Sequence, residues 1–153
     1  MSRTTEIFVD ADACPVKDEV LRVAARHALR VHMVSGQGMR LPQSPLIRPV
    51  VVAEGPDAAD DWIAANIGKG DIAVTSDIPL AARCLERGAA VLGAGGKPFK
   101  ADNIGMALSM RELKSHLRET GEIRDGGPPF TKQDRSRFLQ ALEQAVQAAK
   151  RGG

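Results

Sequence analysis

The chain contains no tyrosine, and its aromatic residues amount to four Phe and one Trp. Capture of single-stranded bases relies on aromatic stacking platforms, so this scarcity argues against one here. Only two cysteines occur, Cys14 and Cys84, far apart and in no metal-binding or redox spacing. That excludes a disulfide scaffold and a thiolate metal site, and points to reduced thiols in a cytoplasmic protein. Histidine is confined to the scattered His27, His32 and His116, and none lies near Cys14, so a Cys–His nucleophile is not expected. No apolar run reaches ~18 residues, and the polar stretch before Ile7 is too short for a signal peptide. Neither a membrane span nor export is expected. An excess of one charge is lacking too: 21 Lys and Arg stand against 19 Asp and Glu, a net charge of +2. Contact with nucleic acid is permitted by that balance but not demanded.

What is present is the pattern of one ordinary globular domain, 153 residues with 43% hydrophobic and 26% charged side chains. The chain is organised around IFVDADACPVK, residues 7–17. A short apolar run, Ile7 to Val9, stops at Asp10; Asp12 and Cys14 follow, and Pro15 is placed to open a helix over residues 15–28. Further β-like runs lie at residues 29–34, 50–52, 72–74 and 89–92. Residues 35–48 read as a long loop, and GAGGKPFKADN as another. Helical patterns cover residues 57–67 and the stretch from Asp77 to Arg87, with Gly88 as its stop.

Beyond residue 104 the sequence is helical: one broken helix or two over residues 104–118, a turn at residues 126–129, and a last helix. Thr131 with Asp134 forms its capping box, and Phe138, Leu139, Leu142 and Val146 form its buried stripe. The end, residues 150–153, is expected to fray. Five alternations of strand and helix, with strands apolar on both sides, call for a mostly parallel five-stranded sheet in a three-layer α/β/α sandwich. Residues 104–150 form a helical extension packed on that single domain.

In a parallel α/β sheet, whatever follows a strand's carboxyl end arrives at the same edge. Asp10 and Asp12 follow the first strand, Asp57, Asp60 and Asp61 the third, and Asp77 the fourth. Six carboxylates on one edge repel one another unless a cation binds or their pKa values rise. Oxygen donors alone favour a hard ion, so Mg²⁺ or Mn²⁺ is the expected cofactor. At 100° per residue Asp60 lies beside the apolar face of its helix and Asp61 points away from the core, making Asp60 the best ligand of the helix. Each acid also has a plainer explanation: first-turn carboxylates complement the helix dipole, and Asp77 before Ile78-Pro79 is a good N-cap. Asp102 is a further acid or cap.

Four motifs, VDADACPVK, GPDAADDWI, TSDIPLAARCLERGAAVLG and GGPPFTKQDRSRF, together resemble the YaiI/YqxD family of bacterial proteins over nearly the whole chain. That family is similar in turn to PIN-like nuclease domains. The resemblance implies a PIN-like fold with Asp10, Asp60 and Asp77 as the catalytic, metal-binding acids, Asp61 as a further acid of that helix, and Thr75-Ser76-Asp77 as the acidic turn. Asp12 is a further candidate ligand by its place on the same edge. Asp12 and the Cys14-Pro15 helix start depart from the ordinary PIN pattern. The implied reaction is hydrolysis of a phosphodiester in nucleic acid, RNA first, by water activated at Mg²⁺ or Mn²⁺. Arg40, Lys97 and Lys100 are candidates to hold the phosphate backbone, each otherwise a solvated charge. Gly95-Gly96-Lys97 permits close approach to a phosphate but is not a Walker A loop, since Pro98 stands where Ser or Thr belongs.

Two other readings fit. D-x-D after a first strand also resembles haloacid-dehalogenase phosphatases, with Asp10 as nucleophile, Asp12 as acid/base and Thr75 or Ser76 holding phosphate. Against this, no later lysine and paired-acid motif is found. The third is a PIN-like fold kept as a silent RNA- or protein-binding adaptor.

Overall fold

A computed structural model describes residues 4–53, 57–119 and 130–152. The strands are β1 (Ile7–Asp10), β2 (Val31–Ser35), β3 (Ile47–Val51), β4 (Ile72–Val74), β5 (Ala90–Leu92) and β6 (Pro98–Phe99). The helices are α1 (Lys17–His27), α2 (Ala58–Asn66), α3 (Ile78–Glu86), α4 (Ile104–Glu119) and α5 (Lys132–Gly152). The sheet order is β3-β2-β1-β4-β5-β6, parallel throughout except for β6.

Strand β1 is central because both neighbours pair with it in full register: Ile7 lies beside Val31 on one side and Ile72 on the other. Its side chains alternate between two cores. Ile7 and Val9 pack with Val20 and Val23 of α1 and with Phe138, Leu142 and Val146 of α5. Phe8 packs on the opposite side with Ile63 of α2 and Leu80 of α3. Helices therefore cover both faces, as the continuous apolar strands require.

The five-stranded expectation is corrected to six. Strand β6 lies inside the stretch read as a loop and pairs antiparallel with β5 through Val91–Phe99 and Leu92–Pro98. Two residues carry no periodicity to read. The strand exists because a tight turn, closed by Gly93 N–H donating to the Lys97 carbonyl at 3.0 Å, folds the chain back on itself. Strand β3 begins at Ile47, three residues before the expected run, and includes Pro49. Proline is tolerated there because β3 is the outermost strand and needs no donor on its free side.

Helix α1 starts at Lys17 rather than at Pro15, after a 3-10 turn over Ala11–Ala13. Helix α4 is one continuous helix. The capping box of α5 forms as expected: Thr131 N–H donates to Asp134 Oδ2 at 2.9 Å, and Asp134 N–H to Thr131 Oγ1 at 3.1 Å. Helix α5 then continues through residues expected to fray, because Lys150 Nζ reaches His27 Nδ1 at 2.9 Å. His27 Nε2 in turn meets the Glu143 carboxylate at 2.8 Å, tying the end of α1 to α5. The turn read at residues 126–129 lies outside the described residues.

Helix α1 ends on Ala28, whose φ of 55° is left-handed although it is not a glycine. A Cβ in that conformation costs about 1–2 kcal/mol, and glycine removes the clash at some cost in unfolded-chain entropy. Ala28→Gly is therefore expected to stabilise the protein by about 0.5–1 kcal/mol. The readout is the urea unfolding midpoint; an unchanged or lower midpoint contradicts the assignment.

Candidate acidic cleft at the carboxyl edge of the sheet

The chain runs outward from β1 through β2 to β3, then returns to the other side of β1 as β4. That reversal opens a crevice at the carboxyl ends of β1 and β4, the place where open α/β sheets bind ligands. Asp10 is the last residue of β1, and Thr75 is the first after β4. A cleft of 240 Å³ lies there, lined by Asp10, Cys14, Thr75, Ser76 and Asp77 together with Val74 and Ala94.

Thr75 organises it. Its buried hydroxyl donates to Asp10 Oδ2 at 3.0 Å and accepts the Asp77 N–H at 3.0 Å. Asp77 Oδ1 accepts the Leu80 N–H at 3.0 Å, so Asp77 is the N-cap of α3, with Pro79 in the first turn. The cap and the cleft acid are the same residue. Among the described residues, the other oxygens of Asp10 and Asp77 accept no hydrogen bond, and neither acid has an ion-pair partner.

Burial raises the pKa of Asp10, with the Thr75 hydrogen bond working against it and the charges of Asp77 and Asp12 adding to it. Asp60, half-buried in α2, is pushed up to about 6 by burial and then by the charges of Asp77, Asp10 and Asp57, against a weaker pull from Arg83. Asp10 and Asp60 thus both feel the charge of Asp77, and only Asp60 has a cation, Arg83, pulling the other way.

The remaining expected residues are placed differently. Asp12 is exposed, and its Oδ2 accepts the Gly36 N–H at 2.8 Å, fastening the loop after β2. Asp61 turns to α3, where Arg83 Nη1 meets its Oδ1 at 2.8 Å. Asp57 and Asp102 are exposed. Arg40, Lys97 and Lys100 are exposed too, and none of the three lines the cleft. Cys14 does line it, but burial raises its pKa and keeps it a thiol, a poor nucleophile. The role of Thr75 as the link between two acids was missed. The T-x-D spacing carried that signal, because a hydroxyl two residues before an N-cap is placed to accept its N–H.

Among the described residues, no group of three or more His, Cys, Asp or Glu side chains is arranged to hold a metal ion. An all-protein cage is therefore not what the acids form. Mg²⁺ usually keeps several waters and takes only one or two carboxylates, and a pair of oxygen donors in uncompensated negative field fits that chemistry.

By fold and site this is an α/β protein with an acid-lined crevice at the switch point of a mostly parallel sheet. Residues 8–148 match the family described as "Uncharacterized BCR, YaiI/YqxD family". The UPF0178 protein of Parvibaculum lavamentivorans is 63% identical over 147 residues, 96% of this chain and 97% of that protein. The UPF0178 protein of Rhodospirillum rubrum is 57% identical over 148 residues, 96% of this chain and 99% of that one. The chain belongs to the YaiI/YqxD family. Among the described residues, no helix is long and apolar enough to cross a membrane.

Asp60 binds its proton more tightly in the folded chain than unfolded, so folding favours its neutral form. That contribution is complete below about pH 4 and is lost as pH rises through about 6. Asp60→Asn, which mimics the neutral form, is expected to exceed the unaltered protein in stability by about 1 kcal/mol above neutrality, after allowance for solvent screening. The difference should vanish near pH 4. Urea unfolding across pH measures it, and a variant less stable than the parent at neutral pH contradicts the charge crowding.

Proposed function

We propose that this protein is a metal-dependent phosphodiesterase of PIN-like, three-layer type, hydrolysing nucleic acid and RNA in the first place. The observation that carries the reading is that Thr75 brings Asp10 and Asp77 together in one cleft, each with a carboxylate oxygen that accepts no hydrogen bond among the described residues, while Asp60 on α2 adds its charge from nearby. Asp10 and Asp77 would hold a hydrated Mg²⁺ or Mn²⁺ through the oxygens that Thr75 and Leu80 leave open. A cation bound there supplies an acidified water and stabilises charge on the leaving oxygen.

The chain's own contribution is orientation and field. Thr75 fixes the Asp10 carboxylate against β4, and the N-cap fixes Asp77, so neither acid must be ordered when ligand arrives. Asp60 adds charge from α2, and Asp12 fastens the loop after β2 through the Gly36 N–H. The phosphatase reading needs Asp12 free as an acid/base beside Asp10, whereas its Oδ2 is spent on Gly36. Two free, buried thiols suit a reducing cytoplasm.

Calorimetric titration with Mn²⁺, followed by a cleavage assay on single-stranded RNA and DNA, tests the reading. Binding of the ion and cleavage are expected, with Asp10→Asn and Asp77→Asn each lowering the rate on the order of 100-fold. Absence of ion binding, or activity that survives both substitutions, removes the proposal.

A further inference from the structure

Beside the acidic cleft lies a depression of opposite character. It measures 320 Å³ and is lined by Gly95, Gly96, Lys97, Arg137, Gln140 and Gln144, with Ala141 at its floor. No acid lines it. Consecutive residues of one turn line the two hollows, Ala94 the first and Gly95 the second. The turn between β5 and β6 contributes residues to both.

This juxtaposition is built into the backbone. Gly96 has a φ of +90°, and a Cβ there would sit 2.8 Å from the Arg137 carbonyl oxygen. Only glycine lets the turn lie this close to α5, and that approach sets Lys97 beside Arg137. Gln140 and Gln144 continue the same helical face at i+3 and i+7, adding amide donors without negative charge. Arg137 Nη2 contacts Asp134 Oδ1 at 3.1 Å, an exposed pair whose remaining guanidinium donors are available. A larger trench of 610 Å³ shares Gly96, Ala141 and Gln144 with the depression and adds Lys100.

We propose that this depression is the phosphate-backbone subsite for the single strand flanking the scissile bond. Lys97 and Arg137 take neighbouring phosphates, and Gln140 and Gln144 donate to phosphate or sugar oxygens. The subsite rests on the phosphodiesterase reading of the adjacent cleft for its orientation. With no aromatic side chain in its lining it reads backbone rather than bases, so the strand it holds is bound without strong sequence preference. The paired hollows explain a mildly basic chain carrying an acidic crevice: cations beside the crevice draw in the polyanion that the crevice alone repels.

The test is fluorescence anisotropy with a labelled single-stranded RNA of about eight nucleotides, in EDTA and in Mg²⁺, across a salt series. Lys97→Gln with Arg137→Gln is expected to weaken binding about tenfold and to reduce the slope of log K against log salt by about 1.4. Gln140→Lys should do the reverse, tightening binding several-fold and steepening the slope by about 0.7. All three side chains are exposed, and a thermal melt verifies that the variants fold. RNA affinity unmoved by either change, or no RNA binding by the unaltered protein in both buffers, overturns the subsite. Competition by polyglutamate as strong as by RNA overturns it too, showing a site for acidic protein instead. The cleft is read separately by cleavage and by Mn²⁺ titration. An inert protein that still loses RNA with the double variant sinks the nuclease reading alone, and cleavage retained with binding unmoved sinks the subsite alone.

Discussion

The hydroxyl of Thr75 holds the site together. It donates to Asp10 at the end of β1 and accepts from the backbone of Asp77 at the start of α3, joining two acids 67 residues apart in the chain. It reaches both only because β1 and β4 are adjacent and parallel, with Val9 beside Val74, so the two strands exit on the same edge. The sheet's reversal of direction at β1 opens the crevice, the two core clusters keep the strands in register, and the N-cap of α3 doubles as a wall of the cleft. Loss of that strand pairing would separate the acids, whatever their individual chemistry.

Several acids elsewhere are paired. Asp61 meets Arg83, Glu19 meets Arg135, and Glu143 is held by His27, Gln147 and Arg26, whose hydrogen bonds, that of His27 foremost, pull its pKa down to about 2. Asp71, buried, accepts the N–H groups of Glu6 and Gly68. Asp10 and Asp77, by contrast, line one cleft and have no ion-pair partner among the described residues. Burial, with the like charges of neighbouring acids added to it, raises the pKa values of Asp10 and Asp60. A cation bound at the cleft would relieve that crowding.

Much of this was legible in the chain. Apolar runs ending in Asp10 and in Thr75-Ser76-Asp77, separated by helical stretches, imply parallel strands and hence acids on one edge. The Thr131–Asp134 box and the Gly88 stop are local chemistry and form where the sequence places them. What could not be read was decided by neighbours remote in sequence. That Arg83 stands beside Asp61 and the Gly36 amide beside Asp12 could not be read from their spacing. Strand β6 is made by a turn rather than by a pattern, and Pro49 is admitted only because β3 is an edge. The acid-free hollow beside the cleft joins residues from a turn and from a helix about forty positions later, which no spacing rule connects.

The central claim is that the crevice acids share an unbalanced charge which a divalent cation neutralises. A pH titration of the aspartate carboxyl carbons by NMR, with and without Mg²⁺, measures this at the residue concerned. The account predicts that Asp60 titrates near 6 in the free protein and falls back toward the ordinary carboxylate range when Mg²⁺ is present. An Asp60 that titrates normally from the outset, or one whose raised value is indifferent to the cation, contradicts it.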